Sequence, residues 1–182
     1  SRIPNPLALN MYVLGYDSKK KLVNVNQAVK ENLQTYLGQY RMVTDAINIK
    51  NAYVINIGVK FSLMTRPTFN KNEVLLRAIE TVKTFFNIDR WQVNQPIILS
   101  DLVYQLSLVD GVATIVPPVE DNKQSLPIII TNKYKTANGY SGNLYDIDTA
   151  TKNGIIYPSL DPSIFELKYP GIDIEGHVAG DN

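Results

Sequence analysis

From Tyr53 to Leu63 the odd positions are Tyr53, Ile55, Ile57, Val59, Phe61 and Leu63. The even positions include Asn56, Gly58, Lys60 and Ser62. This period-two alternation predicts a strand with one buried face and one mostly wet face. Arg66-Pro67 ends it. The period then changes. Asn70 stands three residues before Glu73, the spacing of a helix capping box. Val74, Leu75, Ala78, Ile79, Val82, Phe85 and Phe86 follow as a wide apolar stripe at helical spacing. Pro96 to Leu99 is a short apolar lead-in. Ser100 and Asp101 are expected to cap a second helix carrying Leu102, Val103, Leu106 and Val109. Gly111 suits a positive φ after a helix, Val112 to Val116 reads as a strand, and Pro117-Pro118 stops it.

The flanks are less regular. Pro4 and Pro6 make residues 1–8 an extended lead-in. Met11 to Tyr16 predicts a strand, Asp17 to Lys21 a solvated turn, and Leu22 to Val25 a short return strand. Asn26 is a plausible N-cap for an amphipathic helix over 27–41, with Val29, Leu33, Tyr36, Leu37 and Tyr40 on one face. Ala46 to Ile49 is extended. Past Glu120 the character changes. Leu126 to Thr131, Tyr145 to Asp148, Gly154 to Tyr157 and Ile164 to Lys168 read as short strands. Asn153-Gly154 is a turn signal, and no helix is expected there. The pattern predicts an α+β fold. A two-layer core over 1–120 packs helices on a mixed or antiparallel sheet, and a β-rich C-terminal extension spans 121–182.

With 182 residues, 45% of them hydrophobic, the chain can bury a core without staples. The net charge of +1, from 18 basic and 17 acidic residues, gives no large basic excess. Neither a nucleic-acid nor an anionic-membrane surface is expected. With 0 cysteines, disulfides, thiolate metal sites and cysteine nucleophiles are excluded. No apolar run reaches membrane-spanning length and no signal-peptide pattern is present. The start at Ser1-Arg2-Ile3-Pro4, without methionine, suggests a piece of something larger. The 11 tyrosines suit half-buried strand positions and protein interfaces alike.

The residues offer little chemistry. The single histidine, His177, is the sixth residue from the end, on what reads as a loose tail. Ser141, in Gly139-Tyr140-Ser141-Gly142, lacks the glycine spacing of a nucleophile elbow. Asp146 and Asp148 on a strand would share one face and could hold a divalent cation with Asp161 or Asp173. The pair reads equally as two exposed carboxylates at a strand end. Arg90-Trp91 would cap a helix end or anchor an interface. No phosphate loop, zinc motif or EF-hand loop appears. The chain is therefore expected not to be an enzyme, and no cofactor or metal is expected.

One resemblance is specific in its order. Tyr36-Leu37-Gly38-Gln39-Tyr40-Arg41-Met42-Val43-Thr44-Asp45, followed by Ala52-Tyr53-Val54-Ile55-Asn56-Ile57, resembles a recurring segment of baseplate-J-like proteins. Ile97 to Leu102 and Val109-Asp110-Gly111-Val112 look like that family's second signature. The likeness covers roughly residues 11–116. The run from Asn153 to Phe165 is similar to the C-terminal portion of baseplate wedge proteins of T-even-type contractile-tailed phages. The resemblance implies a viral structural protein located in the virion's tail baseplate and assembled in the host cytoplasm. It would self-associate, as a dimer or ring, and bind neighbouring wedge proteins around the hub. Ile156, Tyr157, Phe165 and Tyr169 are the candidate interface residues. The alternative is a receptor- or carbohydrate-binding tail module with an aromatic platform around Tyr140 to Asp148.

Overall fold

The computed structural model describes residues 9–39, 47–117 and 126–180. The fold is α+β, as the alternation of periods predicts. The chain divides into two compact units, and the division falls between Tyr53 and Val54 rather than near residue 120.

The first unit is small. Strand β1 (Leu9–Val13) is followed by a hairpin of β2 (Gly15–Tyr16) and β3 (Leu22–Val23). Its tip closes because Asp17 Oδ1 accepts from the N–H groups of Lys19 and Lys21, at 2.8 and 2.9 Å. Helix α1 (Gln27–Gly38) starts where Asn26 Oδ1 accepts from Val29 N at 2.9 Å. The helix was expected to reach residue 41, but Tyr40 and Arg41 lie outside the described residues. Strand β4 (Ile47–Asn51) pairs in parallel with β1, from Leu9 opposite Ile47 to Val13 opposite Asn51. Helix α1 lies against β4. Leu22, Ile47 and Ala52 are buried here, yet α1 contributes no buried residue.

The second unit is built on one long strand, β5 (Tyr53–Thr65). It is followed by α2 (Lys71–Phe85), β6 (Ile97–Ile98), α3 (Leu99–Ser107), β7 (Val112–Val116) and β8 (Ile128–Asn132). Then come α4 (Ile147–Ala150), β9 (Thr151–Lys152), β10 (Ile155–Ile156), β11 (Ser163–Glu166), α5 (Pro170–Asp173) and β12 (Ile174–Val178). β7 and β8 pair with β5 antiparallel, β12 pairs with it in parallel, and β11 joins the same five-stranded sheet. β6, β10 and β9 form a small separate sheet. At its hairpin Asn153 and Gly154 both take positive φ, 53° and 73°, as the Asn-Gly signal requires.

On one face of β5, Ile55, Ile57, Val59, Phe61 and Leu63 are fully buried. Helix α2 covers β12 and α3 covers β7. Val74, Ala78 and Val82 form the buried stripe of α2, which Asn70 caps through Glu73 N at 3.1 Å. Gly176 on β12 permits this layer: a Cβ there would meet Phe61 Cζ at 2.6 Å and Leu75 Cδ1 at 2.9 Å. The other face of β5, expected to be wet, is covered from Val54 to Val59. The physical reason is visible at Asn56, whose side chain on that face bonds to Glu166 of β11 and to Ser141 N.

The C-terminal third is thus no appended extension. It supplies β8, β11 and β12 to the central sheet. Nor is it free of helix. Tyr145 to Asp148, expected as a strand, leads into α4, and Pro170 opens α5 at a position where a missing N–H costs nothing. Ser100 and Asp101, expected as caps, sit inside the first turn of α3, whose N-cap Ile98 makes no side-chain bond.

Candidate interaction surfaces

Of the residues expected at an interface, two are interior. Ile156 and Phe165 are each 1% exposed, so they stabilise this chain's own core and present no surface to a partner. Phe165 sits on a strand that is buried throughout, and its ring meets Tyr145 edge-on at 6.0 Å. Tyr157 is 46% exposed. Its N–H donates to Ala150 O at 3.1 Å and its carbonyl accepts from the Tyr145 hydroxyl. With Tyr145, Thr149, Ala150 and Lys152 it borders a shallow depression of about 450 Å³. Tyr169 is half-buried, edge-on to Tyr140 at 5.4 Å, with Lys168 Nζ 5.7 Å from its ring centre.

The polar side chains singled out by sequence turn out to be structural. Asp146 is the N-cap of α4: Oδ1 accepts from Thr149 N at 3.1 Å and Oδ2 from Thr149 Oγ1 at 2.7 Å. The Thr149 side-chain bond, then its backbone bond, holds this carboxyl below the usual carboxylate range. Both oxygens are thereby committed to a helix start. Asp146 and Asp148 share no strand face, and no group of three or more His, Asp or Glu suited to a metal gathers among the described residues. Ser141 donates its hydroxyl to Val54 O at 2.8 Å, the posture of a loop tie rather than a nucleophile. His177 is held on β12 opposite Ser62, not on a loose tail. Trp91 is buried against Phe85 and Phe86, with ring centres 5.7 and 5.2 Å away, and so anchors the end of α2.

Sequence reasoning missed the polar interior. Asn56, at an even position of β5, is buried. Its Nδ2 donates to Glu166 Oε1 at 2.7 Å and its Oδ1 accepts from Ser141 N at 2.8 Å. Asn143 Nδ2 donates to Val54 O, and Asn132 Nδ2 donates to Asn56 O. Nearby, the Tyr140 hydroxyl donates to Asp173 Oδ1 at 2.7 Å. Burial raises Asp173 above the usual carboxyl range. The bond from Tyr140 and the Lys133 charge pull the other way. Burial, with the Asp173 bond, likewise pushes the Tyr140 phenol up, so it stays a donor. The Asn56 side chain is bonded on both sides, which ties the loop at Ser141 and strand β11 to β5, whereas Asp173 Oδ2 is buried without a hydrogen-bond partner.

The exposed apolar side chains of the first unit form its most distinctive surface. Val29 and Tyr36 on α1 are 50% and 55% exposed, and Met11, Tyr12, Tyr16 and Val23 are exposed as well. A helix with an apolar stripe and no buried residue lies on a sheet of only two strands. Such a sheet is below the size that is stable alone in water. The second unit carries exposed Tyr104 and Leu108 on and after α3, and exposed Leu144 and Leu160 in its C-terminal third. No protein-family model matches the chain, and no curated protein sequence matches it.

Proposed function

We propose that this chain is a structural subunit of a contractile-tail baseplate wedge, acting through contacts with copies of itself and with neighbouring wedge proteins. The observation that carries an assembly role is the unfilled core of the first unit. None of the 12 residues of α1 is buried, although its sequence has the apolar stripe of a packed helix. An apolar face of that kind marks a surface that a partner covers. The baseplate assignment itself is supported by the order of segments that resemble baseplate-J-like proteins. The tail site is then the virion baseplate, and the protein works by rigid modules and covered faces rather than by catalysis. Of Ile156, Tyr157 and Phe165, Tyr157 is the one exposed for contact.

Light scattering across a concentration series tests this. The expected result is a dimer or larger assembly that dissociates in Tyr36→Asp while Trp91 fluorescence stays native. A monomer at every concentration defeats the assembly reading.

A carbohydrate-binding role would use a different place, the depression flanked by Tyr145 and Tyr157 with Thr149 and Lys152. Binding of a glycan array that is lost in Tyr157→Ala, with the mass unchanged, would establish that reading instead.

A further inference from the structure

Strand β1 has one partner among the described strands, β4, and the two run in parallel through five register pairs without a shift. On β4 a side chain meets the backbone at Ile47, whose carbonyl accepts from Gln34 Nε2, and the Asn51 side chain ties the strand's end to Val25 N at 2.9 Å. No comparable bond covers β1 among the described residues. The sequence of β1, Leu-Asn-Met-Tyr-Val, carries none of the devices that blunt a sheet edge. It has no proline, no lysine or other charge, and no bulge. Asn10, Met11 and Tyr12 are all exposed. A two-stranded sheet with an open edge of this composition gains most from an added strand, because three or more strands make a stable unit.

We infer that the outer edge of β1 pairs antiparallel with β1 of a second copy, about a two-fold axis at Met11. The inference rests on the self-association proposed above and adds to the α1 face a contact at the sheet edge. A second copy fits because the strand is self-complementary. Antiparallel self-pairing sets Met11 opposite Met11, Asn10 opposite Tyr12 and Leu9 opposite Val13, so no like charges are opposed. A partner chosen by charge would need a charge pattern on β1, and there is none. The product is a continuous four-stranded sheet, β4-β1-β1-β4, and the contact is isologous, so it closes as a dimer and does not propagate.

The absence of cysteine from the chain makes the test specific. Opposed residues of an antiparallel pair have Cα atoms about 4.5–5.5 Å apart, within the range a disulfide spans. Met11→Cys is compared with Leu76→Cys, whose side chain is exposed on α2. Under mild oxidation Met11→Cys should form covalent dimer about tenfold faster or more, because pairing raises the local thiol concentration. In the unsubstituted chain the amides of residues 10–13 should gain protection from hydrogen exchange as concentration rises. If the chain dimerises, yet Met11→Cys links no faster than Leu76→Cys and those amides exchange equally at all concentrations, the β1 edge is not the contact and self-association stands. If the chain is monomeric throughout, both fail.

Discussion

Two helices of this chain begin alike and end differently. α1 and α2 each start from an asparagine whose side chain accepts from the N–H three residues on, and each carries apolar residues at helical spacing. α2 lies on a sheet, and its Val74, Ala78 and Val82 are fully buried. α1 lies on a two-stranded ribbon, where Leu33 and Leu37 are only half-buried and no residue is fully buried. The difference lies in what each helix has beneath it, since the second unit draws strands from both ends of its sequence onto β5. An amphipathic pattern states that a face needs cover; it does not say which chain supplies the cover.

The comparison is broken most sharply by removing apolar bulk from each side. Phe61→Ala should cost about 3–5 kcal/mol, because the ring is fully buried over Gly176 of β12 and its loss leaves a cavity. The urea midpoint, followed by Trp91 fluorescence, should fall accordingly. Val29→Ala should move that midpoint by no more than about 0.5 kcal/mol equivalent, since the side chain is exposed. A large effect of Val29→Ala on a dilute monomer would show that α1 packs more closely than its exposure indicates.

Next in size is the buried polar tie. Asn56→Ala removes the donor to Glu166 Oε1 and the acceptor for Ser141 N, and should cost about 2–3 kcal/mol because both bonds are in the interior. Asn56→Ala combined with Glu166→Ala should recover part of the loss, as a double-mutant cycle would show. Additive losses would mean that the two side chains do not act as a pair.

This tie also marks where sequence stops being legible. β5, α2, the Asn153-Gly154 turn and the Asn26 and Asn70 caps follow from local pattern, because each is decided by neighbours within a few residues. The second cover of β5 does not. Asn56 looks like a solvent position in an alternating strand, and only partners 85 and 110 residues away make it interior. The same distance explains the misplaced division at residue 120. The tail's short apolar runs gave no sign that β8, β11 and β12 return to β5. Asp146 was ambiguous for the opposite reason: one residue of register separates a strand-end carboxylate from a helix cap. For the candidate interface, apolar character picked out Ile156 and Phe165. Apolar character, however, is shared by cores and contact faces, so it could not separate them from Tyr157.

A pH series sharpens the interior of the second unit further. Asp173 faces the Tyr140 hydroxyl, the Lys133 charge, the Tyr169 backbone and the Glu175 carboxylate. Its folded pKa is raised, so the folded state keeps a proton that the unfolded chain has released. Its contribution is fully present below the ordinary value of 3.8 and is lost as pH rises through the raised one. Asp146 has the opposite sign: lowered in the fold, it contributes above its ordinary value and that contribution is lost as pH falls. Asp173→Asn keeps an acceptor for Tyr140 and removes the desolvated charge. The variant should match or exceed the parent near neutrality and show a flatter dependence on the acid side. A variant that is less stable at neutral pH would mean that the ionised carboxylate is the better partner for Lys133.

The smallest expected effect is the most direct comparison of the units. Asn70→Ala removes the acceptor for Glu73 N and should lower the stability of the second unit by about 1 kcal/mol. Asn26→Ala removes the same bond, to Val29 N, from a helix with no fully buried residue. A short helix held by no core is close to its own coil equilibrium. Loss of its cap should therefore leave the global urea midpoint unchanged and appear elsewhere. Hydrogen exchange over residues 29–38 should speed by about five- to tenfold in the dilute monomer, which is the same 1 kcal/mol read locally. If assembly covers α1, that acceleration should shrink as concentration rises, because a covered helix no longer depends on its cap alone. An acceleration independent of concentration in a chain that does associate would place the contact away from α1.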